Sequence, residues 1–87
     1  MNAEYAALLP HNAEAEMAVL GSILLDPPLI DQLDRLEPED FFLHKHGLIF
    51  RSMRAAWERG EPVDTVTLAD AFEREQRTEL IAYLPRQ

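Results

Sequence analysis

Between Phe41 and Trp57, His46, Ile49, Phe50, Met53, Ala56 and Trp57 recur at i, i+3, i+4, i+7, i+10 and i+11. That spacing puts all six on one side of an α-helix and excludes a strand, whose side chains alternate. The end of the helix is written just as clearly. Arg59 falls in the last turn, Gly60 suits a left-handed position after it, and Pro62 forbids continuation. Aromatic and branched side chains at this density fill a core, so the other elements are expected to pack on this helix.

Those elements are short and punctuated. Pro10-His11-Asn12 stops an N-terminal arm (residues 1–9, with Tyr5, Leu8 and Leu9) and offers Asn12 as N-cap of a first helix, about Ala13 to Leu25. Glu14 and Glu16 lie in its opening turns, where the helix dipole favours anions. Its main apolar stripe reads Ala13, Met17, Leu20 and Leu24. Val19 and Ile23 form a second apolar line, which implies burial on more than one side. Gly21 costs about 1 kcal/mol in a helix interior, and a close helix–helix approach is the usual compensation. Asp26-Pro27-Pro28 reads as a cap followed by proline at the first helical position. The second helix, Pro28 to Leu36, turns Leu29, Ile30, Leu33 and Leu36 inward, and Glu37-Pro38 breaks it. Glu39 to Phe42 reads as one tight turn delivering two aromatic rings to the core.

After Gly60 the chain is extended through Pro62, because proline excludes its predecessor from the helical region. Thr67 with Asp70 has the pattern of a capping box for a helix from Leu68 to about Gln76, burying Leu68, Ala71 and Phe72. Thr78 is the candidate cap of a last piece, Glu79 to Leu84, with Leu80, Ile81 and Leu84 inward. The expected fold is all-α: a compact orthogonal bundle of five to six short helices, with residues 1–9 as an arm and 10–87 as a single head domain.

Composition narrows the function. Eighty-seven residues, 47% apolar and 28% charged, make one folded domain. A chain this short buries only about 60–65% of its unfolded surface. There is no cysteine, hence neither a disulfide framework nor a thiolate metal site. No apolar run approaches the roughly 20 residues of a membrane span, and the N-terminus lacks the order of a signal peptide, so the expected location is cytoplasmic. The net charge of −8 lies wholly in residues 1–43, where nine acids face Arg35 alone; residues 44–87 balance at zero. Such a field repels phosphate. The local exception is Lys45, Arg51, Arg54 and Arg59 on the central helix. They read either as a solvated face, with Arg54 and Glu58 paired at i,i+4, or as a basic strip meeting an acidic face of another subunit or partner.

Catalytic constellations are not found. Gly21, Gly47 and Gly60 stand apart, and none precedes the Lys-Ser/Thr of a phosphate loop. His44 and His46 point about 200° apart on a helix and make no ligand set. His46 lies on the core-facing stripe, where a neutral, hydrogen-bonded packing role is expected, and His11 reads as local turn structure. Glu14, Glu16, Glu39 and Asp40 sit at helix starts, where acids need no acid–base explanation. The only basic helix is the one assigned to the core, so a helix-turn-helix reader is not indicated. No catalytic, cofactor-binding or metal-binding residue is therefore assigned.

Taken together, four motifs carry a resemblance. Pro10-His11-Asn12-Ala13-Glu14-Ala15-Glu16 continues into Ala18 to Asp26 (Ala-Val-Leu-Gly-Ser-Ile-Leu-Leu-Asp). Leu36 to Phe42, His46 with Ile49-Phe50 and Met53, and Gly60 to Leu68 follow in the same order. Across about residues 10–72 the chain resembles the N-terminal domain of bacterial replicative DNA helicases of the DnaB type. The resemblance implies an all-helical head preceding a helical hairpin, a linker and a RecA-like ATPase, in a parent that is an ATP-dependent 5′–3′ helicase using ATP and Mg²⁺. It implies further that such heads form a collar on a hexamer and dock the carboxy-terminal domain of primase in the primosome. The chain reaches Gln87 before any hairpin or Walker motif, so the expectation for it is the non-catalytic head alone. It departs from the family by lacking the Gly-Gly pair before Tyr83-Leu84.

The expected function is assembly and protein interaction, with other helicase subunits and primase as partners and neither strong nucleic-acid binding nor a membrane. Candidate interface residues are Val19 and Ile23, with Asp31, Asp34 and Glu37 as an acidic rim and Arg51 and Arg54 as basic partners. The alternatives are a DNA-contacting module using Lys45, Arg51, Arg54 and Arg59, or a stand-alone mimic of the helicase head acting as adaptor or inhibitor.

Overall fold

The computed structural model describes residues 12–85. The arm at residues 1–9, with Tyr5, Leu8 and Leu9, and the turn at His11 lie outside the described residues. The described chain is all-helical: α1 (Ala13–Leu25), α2 (Leu29–Gln32), a 3₁₀ turn (Pro38–Asp40), α3 (His44–Glu58), α4 (Thr65–Arg74) and a 3₁₀ helix (Thr78–Tyr83). As the spacing predicts, α3 is central, with the Pro38–Asp40 turn, α1, α4 and the final 3₁₀ helix all packed on it. Ile49, Phe50 and Met53 are fully buried between them, together with Leu20, Ile23 and Phe72. Phe41 stacks obliquely on Phe50 with ring centroids 5.3 Å apart.

The caps show how local chemistry sets the boundaries. The Asn12 side chain accepts the Ala15 amide at 3.1 Å and opens α1. Helix α3 closes with the Glu61 amide on the Ala56 carbonyl and the Gly60 amide on that of Trp57, and Gly60 sits at φ +73°. This paired closure needs a left-handed residue, which glycine supplies without steric cost. Helix α4 closes in the same way, through Arg77 to Phe72 and Gln76 to Glu73. Here, however, Gln76 takes the left-handed conformation at φ 59°. A side chain there crowds the following carbonyl. Gln76→Gly is therefore expected to stabilise the domain by about 0.5–1 kcal/mol, the left-handed relief less glycine's extra unfolded-state entropy. Urea denaturation checks this; an unchanged or lower midpoint would contradict it.

Several boundaries differ from those the sequence predicts. Helix α2 ends at Gln32, not Leu36, because Leu33 and Leu36 bond to carbonyls three residues back and the chain unwinds into turns. Ile30, Leu33 and Leu36 still point inward. Asp26 does not cap α2 with its side chain but ends α1, its amide on the Ser22 carbonyl. Helix α4 opens three residues early: the Asp64 carboxylate, on extended backbone, accepts the Thr67 amide at 2.7 Å, so Thr67 lies inside the helix. Thr78 likewise belongs to the last element, which winds as 3₁₀, and Arg77 precedes it with no side-chain cap. Phe42 is 47% exposed while Phe41 is buried. Consecutive side chains on extended backbone point to opposite sides, so one ring alone enters the core.

Candidate functional site

The most consequential polar contact in the domain lies in its interior. Glu16 on α1 is fully buried, as is His46 on α3. One carboxylate oxygen of Glu16 meets His46 Nδ1 at 2.8 Å and accepts the Leu43 amide at 3.3 Å. The other accepts the Phe42 amide. A carboxylate only accepts, so Nδ1 is the protonated ring nitrogen in this contact. Leu43 is the N-cap of α3 and has no capping side chain of its own. Glu16 therefore caps α3 from another helix, placing a negative charge where the α3 dipole is positive and bare amides need acceptors. His46 is thus hydrogen-bonded within the core, as its place on the stripe predicts. Glu16 has no exposure to solvent, so it has no access to substrate.

This buried acid also explains which face of α1 points inward. The buried line is Glu16, Val19, Leu20, Ile23 and Leu24. The apolar stripe read from sequence, Ala13-Met17-Leu20-Leu24, is rotated by about a sixth of a turn from it, because a glutamate counts as polar in any hydropathy pattern. The correction reaches the candidate interface: Val19 is 9% exposed and Ile23 0%, both within the same chain's core. They offer no free patch. The outward face of α1 carries Ala18 and Leu25, the latter 77% exposed, with Met17 and Gly21 half-buried at its edge. Nor does Gly21 mark a close helix crossing. A Cβ there would meet only the Pro85 side chain, at an ordinary 3.8 Å.

The other candidate residues divide between two surfaces. Asp31 and Asp34 line a small cleft of about 230 Å³ with Arg54, Trp57 and Glu58. There the Trp57 indole donates to Asp31 at 2.9 Å. Arg54 reaches back from α3 to the α2 segment, donating to the Leu33 and Leu36 carbonyls and to Glu37 at 3.3 Å. Its guanidinium lies 4.6 Å from the Phe50 ring centroid. The predicted Arg54–Glu58 pair is thus replaced by Arg54–Glu37, since the Leu33 and Leu36 carbonyls, where α2 unwinds, draw the guanidinium away from its own helix. Asp31, Asp34, Glu37 and Arg54 come together on this side. Arg51 does not; it lines a separate shallow cleft with Ser52, Ala55, Arg59 and Glu75.

The basic strip is divided as well. The Lys45 ammonium sits 3.6 Å from the Tyr83 ring centroid. Arg59 holds Glu61 in two contacts at 2.9 and 3.1 Å. The hydrogen bond from Arg59, and then its charge, lower the Glu61 pKa below the ordinary carboxylate value. With Arg54 held at α2, three of the four cations are engaged within the domain, which leaves no continuous basic track for a phosphate backbone.

Among the described residues, no three His, Asp or Glu side chains are placed to hold a metal ion, and no helix is long and apolar enough to cross a membrane. A feature the sequence reading did not single out is an apolar groove between α4 and the last 3₁₀ helix, about 810 Å³, at whose edge Val66 stands 78% exposed. Its signal was present: Val66 lies opposite the Leu68, Ala71 and Phe72 line, where a surface helix usually carries a polar residue.

Comparison with known proteins accords with this architecture. Residues 8–86 match the family described as DnaB-like helicase N terminal domain. Among curated proteins, the chain is 44% identical over 79 residues to the replicative DNA helicase DnaB of Geobacillus stearothermophilus, a match spanning 86% of this chain. It is 38% identical over 80 residues to the DnaB of Buchnera aphidicola subsp. Baizongia pistaciae, and 45% identical over 62 residues to the replicative DNA helicase DnaC of Bacillus subtilis. These matches span 87% and 70% of this chain, and it covers 17% of the first two relatives and 14% of the third. No solved structure matches the chain. With the family matched over nearly its whole length, on an all-helical fold, the chain belongs to the DnaB-like helicase N-terminal domains.

Proposed function

We propose that this domain is the non-catalytic head of a replicative DNA helicase, acting in subunit assembly and in docking the carboxy-terminal domain of primase. The family match over residues 8–86 carries the reading, because the relatives it resembles are named replicative DNA helicases. ATP hydrolysis and Mg²⁺ binding belong, on this proposal, to a separate ATPase domain of the parent protein, and the heads join in its collar. Support from the geometry is twofold. The interior is cross-braced by Glu16 and by Arg54, giving a rigid body suited to docking without rearrangement. Its surface displays apolar side chains, Leu25 and Val66, that a freely solvated domain gains nothing by exposing.

The test is sedimentation and isothermal titration of the 87-residue chain with the purified primase carboxy-terminal domain. The expected result is a saturable complex with a Kd in the micromolar range or tighter, which by interface arithmetic is about −8 kcal/mol. Absence of any complex at 100 μM of each protein would remove primase docking from this domain.

A further inference from the structure

We infer that the groove between α4 and the C-terminal 3₁₀ helix is a docking site for one amphipathic helix of a partner protein, apolar on one face and carrying lysine or arginine beside it. The inference rests on the reading that this head is an interaction module, and it names the surface and the chemistry of the segment that binds there. Thr65, Val66 and Ala69 form one wall; Ile81, Ala82 and Leu84 form the other, with Pro85 beyond them. A Cβ at Gly21 would lie 3.8 Å from the Pro85 side chain, so this end of the groove borders α1. An apolar cleft between two helical walls matches the helix-in-groove mode of recognition, and no strand edge exists among the described residues for an extended peptide to join.

Charge selects the occupant. Glu73 follows Val66 by seven residues and Ala69 by four, so it continues the groove-facing stripe of α4 by one turn. Glu79 precedes Ala82 by three residues and eclipses it along the 3₁₀ helix. Because α4 and the 3₁₀ helix are joined through the short turn at residues 75–77, Glu73 and Glu79 both fall at the turn end of the two elements that wall the groove. Both are exposed, and neither makes an ion pair among the described residues; Arg74 is held by Asp70, and Arg77 in the turn is the one cation set against the two carboxylates. An apolar helix with a basic residue one turn from its anchoring side chains would satisfy both features at once. A second copy of this chain fits poorly, since at a net charge of −8 it would bring like charge to that acidic end.

The probe is a fluorescein-labelled 18-residue helical peptide with leucines at i, i+3, i+4 and i+7 flanked by lysines, set against the same peptide with glutamates for the lysines. Anisotropy titrations would use the wild-type chain, Val66→Asp and the double variant E73K/E79K, each first shown to be folded by circular dichroism. Val66 is already exposed, so its replacement does not open the core. The expected result is at least ten-fold weaker binding of the lysine peptide to Val66→Asp, even though that variant is more acidic, with E73K/E79K shifting preference toward the glutamate peptide. Equal binding to wild type and Val66→Asp, or no binding to wild type, overturns the inference. So does a wild-type dimer that Val66→Asp converts to monomer, because a second copy is then the occupant. The primase titration separates the two claims. Primase binding that survives Val66→Asp while the peptide fails overturns the groove alone, and no binding of either partner overturns both.

Discussion

Replacing Glu16 with alanine is expected to destabilise the domain by about 3–5 kcal/mol, the cost typical of removing one partner of a buried charged network. A small domain holds only about 0.05–0.15 kcal/mol per residue, so this is a large share of the total. The loss has three sources. The Phe42 and Leu43 amides at the start of α3 would lose their acceptor, His46 would lose its partner, and α1 would no longer be tied to α3. Each buried donor left unsatisfied costs about 1–3 kcal/mol. At this chain length 1 kcal/mol shifts the melting temperature by roughly 4–8 °C, so the variant should melt at least 12 °C lower. Glu16→Gln separates the contributions. Its amide oxygen still accepts one backbone donor, so it should fall between wild type and alanine. A double-mutant cycle with His46→Ala should give a coupling of about 1.5–3 kcal/mol, as for hydrogen bonds to charged groups. An alanine variant that melts within 3 °C of wild type would show that the buried contact does not hold α1 on α3.

Gly47→Ala is expected to cost about 2–3 kcal/mol, in the range of overpacked cores. The sign is the informative part. In a helix interior, alanine is ordinarily the better residue by about 1 kcal/mol. At Gly47, however, a Cβ would lie 2.3 Å from the Pro38 carbonyl oxygen and 3.2 Å from its carbon. Both neighbours are backbone, in a turn that Pro38 and the contact between the Glu37 amide and the Asp40 carboxylate hold in place, so neither yields cheaply. Gly21→Ala supplies the internal comparison. The same substitution in α1 meets only Pro85 at 3.8 Å and should be neutral or stabilising by up to about 1 kcal/mol. Urea midpoints of the two variants should therefore move in opposite directions, or only that of Gly47→Ala should fall. Equal shifts would mean that the turn gives way.

These two positions also show where sequence reading reached its limit. Gly21 attracts attention as a helix glycine and turns out to be uncrowded, whereas Gly47 passes as an ordinary residue beside the His46 stripe. The difference is the Pro38 carbonyl, brought against α3 by a turn seven to nine residues upstream. Glu16 fails in the same way. Its place in the first turn of α1 gives it a sufficient local explanation as an anion near a helix N-terminus. Nothing in its neighbours says that the amides it caps belong to a helix starting 28 residues later. Val19 and Ile23 read as a second face for the same reason, because the burial of Glu16 turns their line inward.

What the sequence determined by itself was the class of fold, the central helix with its closing glycine, the division into short helices, and the family resemblance. Each follows from relations within about one or two helical turns, or from residue types that permit only one local conformation, such as Gly60 and Pro62. What the tertiary structure decided was which face of α1 is inside and which acid caps α3. It also decided which cations remain free of intramolecular partners and where an apolar groove is left open. Those outcomes depend on distances between segments far apart in the chain, and a carboxylate, a guanidinium or a missing Cβ is resolved only by what the fold brings beside it.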